Sequence, residues 1–144
     1  MNYVREILNA KDKTVHTITP DSSVYDALVL MSEMAVGALI VMEVNKVVGI
    51  FSERDYARKI MLKGKTSKET LVKEVMASNL YYVKPENTME ECMVLMTGKH
   101  VRHLPVFDKG EFVGIISIGD VVKSIISHKD FLIDQLSNYI SGKY

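Results

Sequence analysis

The sequence predicts an α/β protein built from two pseudo-twofold-related copies of one βαββα unit, and two observations point to it. Shifted against itself by 65 residues, the chain aligns 20–60 with 85–125 without a gap and matches at 13 of 41 positions, far above chance. The matches include Pro20 with Pro85, Leu30-Met31 with Leu95-Met96, Val48-Gly49-Ile50 with Val113-Gly114-Ile115, Ser52 with Ser117 and Asp55 with Asp120. A repeat of this length is a supersecondary unit that ordinarily needs a partner to cover its apolar face. Within each copy the apolar pattern then passes from helical spacing to short continuous runs separated by turn residues, which is the mark of alternating helix and strand.

Each element follows in order. Short extended pieces before Pro20 and Pro85 supply a leading strand, because the residue before a proline is pushed toward extended backbone. Ser23 and Thr88 stand three residues before Asp26 and Glu91, the spacing of an N-terminal capping pair. Val24, Ala27, Leu28, Met31 and Met34 follow at helical spacing, as do Met89, Cys92, Met93 and Met96. Strand, turn and strand come next: Ala38 to Met42, Val44-Asn45-Lys46 and Val47 to Phe51 in the first copy; Leu104 to Phe107, Asp108-Lys109-Gly110 and Phe112 to Ile116 in the second. A closing helix is expected over Glu53 to Met61 and over Ile118 to Ile126. The lead-in segments Val4-Arg5-Glu6-Ile7-Leu8 and Val72-Lys73-Glu74-Val75-Met76 also match, at an offset that implies a three-residue insertion around Lys11-Asp12-Lys13. After the repeats, Phe131, Leu132, Leu136, Tyr139 and Ile140 form an apolar stripe on a separate C-terminal helix. The expected organisation is 1–68 for the first repeat with its N-terminal helix, 69–128 for the second, and 129–144 for the C-terminal helix.

Composition narrows the function. With 144 residues and 47% hydrophobic content the chain has the size and core material of one compact domain. Lys plus Arg equals Asp plus Glu at 18 each, so no overall field would draw it to nucleic acid or an anionic membrane, and any anion must be held locally. The one cysteine, Cys92, excludes an internal disulfide and fits a reducing compartment. Residues 1–6 show no basic stretch followed by an apolar core, and no apolar run approaches the ~20 residues a bilayer span needs. A soluble, unexported, cytoplasmic protein is the expectation.

The strings Gly49-Ile50-Phe51-Ser52-Glu53-Arg54-Asp55 and Gly114-Ile115-Ile116-Ser117-Ile118-Gly119-Asp120 share the pattern Gly-h-h-Ser-x-x-Asp, where h is apolar. They sit where a strand gives way to a helix. A glycine inside a strand marks a close approach by backbone or ligand, and the free N–H groups at a helix start can meet an anion. A purely structural alternative is a capping box, with Ser52 and Ser117 as caps and Asp55 and Asp120 reciprocating. That alternative leaves the paired glycines unaccounted for. The copies also differ: Arg54 faces Gly119 and Arg58 faces Lys123 in the alignment, so the first motif carries two guanidiniums suited to bidentate phosphate binding. Arg102 and His103 face Gly37 and Ala38, so the two sites should not be equivalent.

Catalytic readings find little support. Gly64-Lys65-Thr66 imitates the end of a phosphate-binding loop, but the earlier glycine it requires would fall at Lys59, inside an expected helix. Cys92 lies on the apolar face of a Met-rich helix and reads as a buried, unreactive thiol. His16, His100 and His128 have no carboxylate or histidine at ligand spacing, and no acid/base pair emerges. No catalytic residue, catalytic cofactor or metal site is expected.

Taken together, the order and doubling of these elements over residues 4 to 128 resemble the CBS motif, and two in tandem resemble the Bateman module. The segments that carry the resemblance are the two Gly-h-h-Ser-x-x-Asp strings, Val101-Arg102-His103-Leu104-Pro105-Val106, and Thr17-Ile18-Thr19-Pro20. The resemblance implies two repeats packed through their sheets, with clefts that hold AMP, ADP, ATP or a related adenosyl ligand. It implies that Asp55 and Asp120 bind ribose hydroxyls and that Ser52 and Ser117 lie close to ribose or phosphate. Adenine would be read near Thr17-Ile18 or Tyr82-Val83 and near Ala38 or His103. The run Glu53 to Lys59 with Arg102-His103-Leu104-Pro105 further resembles small stand-alone CBS proteins that accept NAD as well as AMP, which adds Arg54 and Arg58 to the expected ligand contacts. A homodimer is implied too, supported by the apolar C-terminal stripe. The expected function is a non-catalytic module that reports occupancy to a regulated protein. The rival is a protein-interaction module whose clefts are empty or only incidentally occupied.

Overall fold

The computed structural model describes residues 2–11 and 15–141, with the side chains at 130, 131 and 141 left out, so Asp12, Lys13 and the Phe131 side chain lie outside the described residues. The elements are α1 (Val4–Ala10), β1 (Thr17–Ile18), α2 (Val24–Met34), β2 (Ala38–Glu43), β3 (Lys46–Ser52), α3 (Glu53–Asp55) continued by a π-helical segment (Tyr56–Met61), α4 (Val72–Val75), α5 (Met89–Lys99), β4 (His103–Asp108), β5 (Glu111–Ser117) and α6 (Ile118–Ser141).

The repeat is visible in the hydrogen bonding. In the first copy β1 runs parallel to β2, and β2 pairs antiparallel with β3 from Ala38 opposite Ser52 to Glu43 opposite Lys46, with an irregularity between Val41 and Met42. The second copy repeats this register 65 residues on, from His103 opposite Ser117 to Asp108 opposite Glu111, with the irregularity between Val106 and Phe107. Its leading strand is reduced to one parallel bridge between Val83 and Val106. Ser23 and Thr88 cap α2 and α5 as expected: Asp26 N–H donates to Ser23 at 3.1 Å, and Thr88 and Glu91 form a reciprocal capping box.

The chain divides into two compact units, Thr14–Leu80 and Met1–Lys13 with Tyr81–Tyr144. The sequence division at 1–68, 69–128 and 129–144 follows the repeat, whereas packing follows an exchange of lead-in helices. The N–H groups of Val4 and Arg5 donate to Asn87 and Pro85 carbonyls in the second copy, at 2.9 and 3.1 Å. Those of Val72 and Lys73 donate to Ser22 and Pro20 carbonyls in the first copy, both at 2.9 Å. Each exchange satisfies N–H groups at a helix start that would otherwise have no partner. Each unit has its own core. One is built on Val24, Ala27, Met31, Leu39, Val41, Phe51, Ile60, Val72 and Val75; the other on Val4, Val83, Met89, Cys92, Met96, Leu104, Val106, Ile116 and Val121.

Three local expectations change. Met34, placed on the buried face of α2, is 42% exposed, because α2 ends there and Ala35 turns left-handed at φ 55°. The helix after Ser52 makes one α-turn and then widens to i→i+5 bonding, as in Leu62 N–H to the Ala57 carbonyl at 3.2 Å. The two helices expected after Ser117 are one continuous helix, α6, because 126–131 contains neither glycine nor proline to stop it.

Candidate functional site

Both Gly-h-h-Ser-x-x-Asp strings end a strand and begin a helix, and both form the reciprocal cap. In the first unit Asp55 N–H donates to Ser52 Oγ at 3.2 Å, while Ser52 N–H and Oγ–H both donate to Asp55 Oδ2 at 3.0 Å. In the second, Asp120 N–H donates to Ser117 Oγ at 3.2 Å and Ser117 N–H donates to Asp120 Oδ2 at 2.9 Å. The glycines are also accounted for within the chain. A Cβ on Gly49 would lie 2.6 Å from Met76 Sδ and 2.9 Å from the Ala77 carbonyl oxygen; one on Gly114 would lie 2.8 Å from Leu8 Cδ2. The close approach expected from a strand glycine is made by the exchanged lead-in segment. Met76 and Leu8 occupy matching positions of the two lead-in segments, Leu8 within α1 and Met76 just past the end of α4.

Each aspartate meets a lysine that sequence reasoning missed. Lys59 Nζ lies 3.1 Å from Asp55 Oδ1 and donates to the Val75 carbonyl at 2.8 Å, tying the first motif to α4. The signal for it was present, since Asp55 and Lys59 stand at i,i+4. Lys11 Nζ, from the end of α1, donates to Asp120 Oδ2 at 2.8 Å and to the Ile115 carbonyl at 3.0 Å. No local spacing could have indicated that pair, because the residues are 109 apart in sequence.

These contacts set the electrostatics of the second motif. Burial alone would raise the Asp120 carboxyl, but hydrogen bonds from Lys11 and the Ser117 backbone, with the Lys11 charge, hold it below the usual carboxylate value. Burial lowers His103, and Lys11 and Arg102 lower it further against the opposing pull of Asp120, so the ring is neutral near pH 7. Cys92 is fully buried and its thiol is pushed up to about 11, which removes it as a nucleophile near neutrality.

The other expected contacts fall at matching places. Ala38 and His103 open β2 and β4 directly opposite Ser52 and Ser117, so each of them lies with the motif serine and aspartate at one end of its strand pair. Exposed Thr17 and half-buried Ile18 form β1, Arg54 is half-buried, and Arg58 and Arg102 are exposed. Leu104 and Pro105 are buried in β4, and Leu104 belongs to the core of its unit. Val83 is buried, and the Tyr82 ring stands edge-on to Phe107 with centroids 5.4 Å apart. Tyr82 and Val83 also line an open depression of about 490 Å³ with Asn87, Glu90, Glu91, Val94 and Leu95. Its two carboxylates are unsuited to phosphate. Among the described residues, no group of three or more His, Cys, Asp or Glu could hold a metal ion, and no helix is long and apolar enough to cross a membrane.

The family model for the CBS domain matches the chain twice, over residues 4–62 and 72–127. The chain belongs to the CBS domain family. Among curated relatives, the mitochondrial CBS domain-containing protein CBSX3 of Arabidopsis thaliana is 36% identical over 150 residues, covering 98% of this chain and 73% of its own. A CBS-domain protein from Burkholderia ambifaria MC40-6 is 47% identical, with a TM-score of 0.85 over 88% of this chain and 95% of that one. The CBS domain pair of the protein MJ0100, solved in complex with 5′-methylthioadenosine and S-adenosyl-L-methionine, shares the fold at 20% identity, with a TM-score of 0.78 over 89% and 98% of the two chains. The match to two CBS motifs agrees with the repeat, the βαββα order and the α/β class read from sequence.

Proposed function

We propose that this CBS pair is a non-catalytic regulatory module that binds an adenine nucleotide (AMP, ADP, ATP or NAD(H)) through its Ser-x-x-Asp motifs and reports occupancy to a partner protein. One observation carries the reading: each motif holds a partly exposed carboxylate at a strand-to-helix junction, beside a lysine, with the motif serine paired opposite the residue that opens the neighbouring strand. Such a carboxylate can accept from ribose hydroxyls, and the nearby cations can meet phosphate. Asp55 and Asp120 take the ribose, Ser52 and Ser117 lie beside it, and Thr17, Ile18, Ala38, Tyr82, Val83 and His103 border the base. Arg54, Arg58 and Arg102 face the phosphates. The ligands of the MJ0100 pair share the adenosine moiety with these nucleotides and lack the phosphate. Binding would favour one arrangement of the module over another, and the partner would read the difference.

The protein acts in the cytoplasm as a homodimer in this reading. Ile126, Ile133 and Ile140 recur every seven residues along α6, flanked by Leu132, Leu136 and Tyr139, and all six are 47 to 83% exposed. A seam of this period suits pairing with another helix. Light scattering should report a dimer whose mass falls, or whose solubility fails, on Leu136→Asp; an unchanged monomer would count against it.

A second reading, an interaction module with empty clefts, draws support from the capping boxes and the filled glycine sites, which give every motif residue an intrachain task. Thermal unfolding across AMP, ADP, ATP, NAD and GMP separates the two. A ligand at a hundredfold over its dissociation constant contributes ~2.7 kcal/mol, a shift of roughly 5 to 15 °C. Adenine compounds should give that shift and GMP less; no shift with any of them favours the interaction module.

A further inference from the structure

Lys11 stands at the end of the N-terminal helix, yet its ammonium reaches the strand and the aspartate of the second motif. It donates to the Ile115 carbonyl at 3.0 Å and to Asp120 Oδ2 at 2.8 Å, the same oxygen that accepts from Ser117 N–H. Lys11 is 35% exposed and Asp120 23%, so the pair is partly desolvated. In the first unit the equivalent task falls to Lys59, which belongs to the motif's own helix and reaches out to the Val75 carbonyl. The alignment places Ser124 opposite Lys59, so the second motif has no lysine at the i,i+4 place, and the Lys123 of its helix stands opposite Arg58 and is exposed. Its cation comes from a segment more than a hundred residues away.

Resting on the nucleotide reading above, we infer that Lys11 selects the ligand of the second motif, favouring adenosine compounds that carry an anionic group over neutral adenosine. A ribose hydroxyl that donates to Asp120 draws on the same carboxylate charge that holds Lys11, through Oδ1 beside the lysine or through Oδ2 in its place. With neutral adenosine the ammonium gives up part of its counter-ion and receives nothing in return, and a partly buried charge stripped of its partner is penalised. A phosphorylated ligand brings its own anion to Lys11, so the ribose contact forms without stranding the charge. Arg102 adds a second positive charge beside His103, leaving two cations against one carboxylate at this corner of the unit. The same exchange would loosen Lys11 from Asp120 and so reach the N-terminal helix, which Lys11 ends.

The test is titration calorimetry with adenosine and AMP on the full chain carrying Asp55→Ala, which weakens the first motif. Lys11 is then kept or replaced by Gln, Met or Arg, with melting curves to confirm folding. Gln removes the charge and keeps an N–H donor on a side chain one bond shorter, whereas Met removes charge and donor together. The preference for AMP over adenosine should fall roughly tenfold or more in Lys11→Gln and Lys11→Met, partly through tighter adenosine binding, and should persist in Lys11→Arg. Raising the salt should narrow the preference more when position 11 is cationic than when it is neutral, where Arg102 alone remains to meet the phosphate. A preference unaltered by Lys11→Gln or Lys11→Met overturns the inference while leaving the nucleotide reading intact. Absence of binding by any adenine compound, including to the unsubstituted chain, removes the nucleotide reading and this inference with it.

Discussion

Replacing Gly49 and Gly114 by alanine separates the two meanings a strand glycine can have, and the two substitutions should behave differently. At Gly49 the new methyl would meet Met76 Sδ at 2.6 Å and the Ala77 carbonyl oxygen at 2.9 Å. The thioether can swing away, but the carbonyl cannot easily follow: Ala77 and Ile50 exchange two backbone hydrogen bonds, at 2.8 and 2.9 Å. At Gly114 the obstacle is Leu8 Cδ2 at 2.8 Å, the far end of a half-buried side chain that can change rotamer. Overpacking costs about 1–3 kcal/mol, offset by the ~0.4–1 kcal/mol that alanine gains through a less flexible unfolded chain. Gly49→Ala should therefore lose about 1–2 kcal/mol in urea unfolding, and Gly114→Ala should stay within about 1 kcal/mol of the parent. Met76→Ala in the Gly49→Ala background should recover at most part of the loss, because the carbonyl contact remains and the truncated side chain no longer packs on the first unit's core. Equal stability of Gly49→Ala and the parent, or a larger loss for Gly114→Ala, would refute the packing account. If both alanines kept stability but abolished nucleotide binding, the glycines would be reserved for ligand access instead.

Further outcomes follow from the same geometry. Arg54→Ala should spare adenosine and weaken ADP or NAD, whereas Asp55→Ala should weaken all three by the ~1.5–3 kcal/mol of a charged hydrogen bond; calorimetry giving equal losses for adenosine and ADP on Arg54→Ala would remove the phosphate role. Asp120 titrates below its ordinary value of about 3.9, so its contribution to stability is present above that pH and fades as pH falls through the lowered value. The stability gap between the parent and Asp120→Asn in acid titrations should accordingly narrow below about pH 4, and a gap that is flat with pH would contradict it. Val44 has φ 49° and is 93% exposed in the two-residue turn it forms with Asn45, a conformation that disfavours β-branched residues. Val44→Asn should therefore raise stability by about 1 kcal/mol, and a lower melting temperature would show that the valine is not strained.

The repeat, the α/β class, the caps at Ser23 and Thr88 and the strand pairs were legible in the sequence because they depend on near neighbours: apolar period, turn residues and cap spacing act within a few positions. The site was legible only in part. Ser52 with Asp55 and Ser117 with Asp120 announced themselves by spacing and recurrence, and Lys59 could have been found at i,i+4. The continuous α6 was readable as well, since nothing between Ile126 and Phe131 stops a helix. Tertiary structure alone decided which lead-in helix packs on which repeat, because Val4 and Val72 present equivalent apolar residues and sequence does not say which core will bury them. It also decided that Met76 and Leu8 fill the spaces beside Gly49 and Gly114, and that Lys11 reaches Asp120. Contacts across a hundred residues are selected by how two surfaces fit, and a one-dimensional pattern holds no record of that fit.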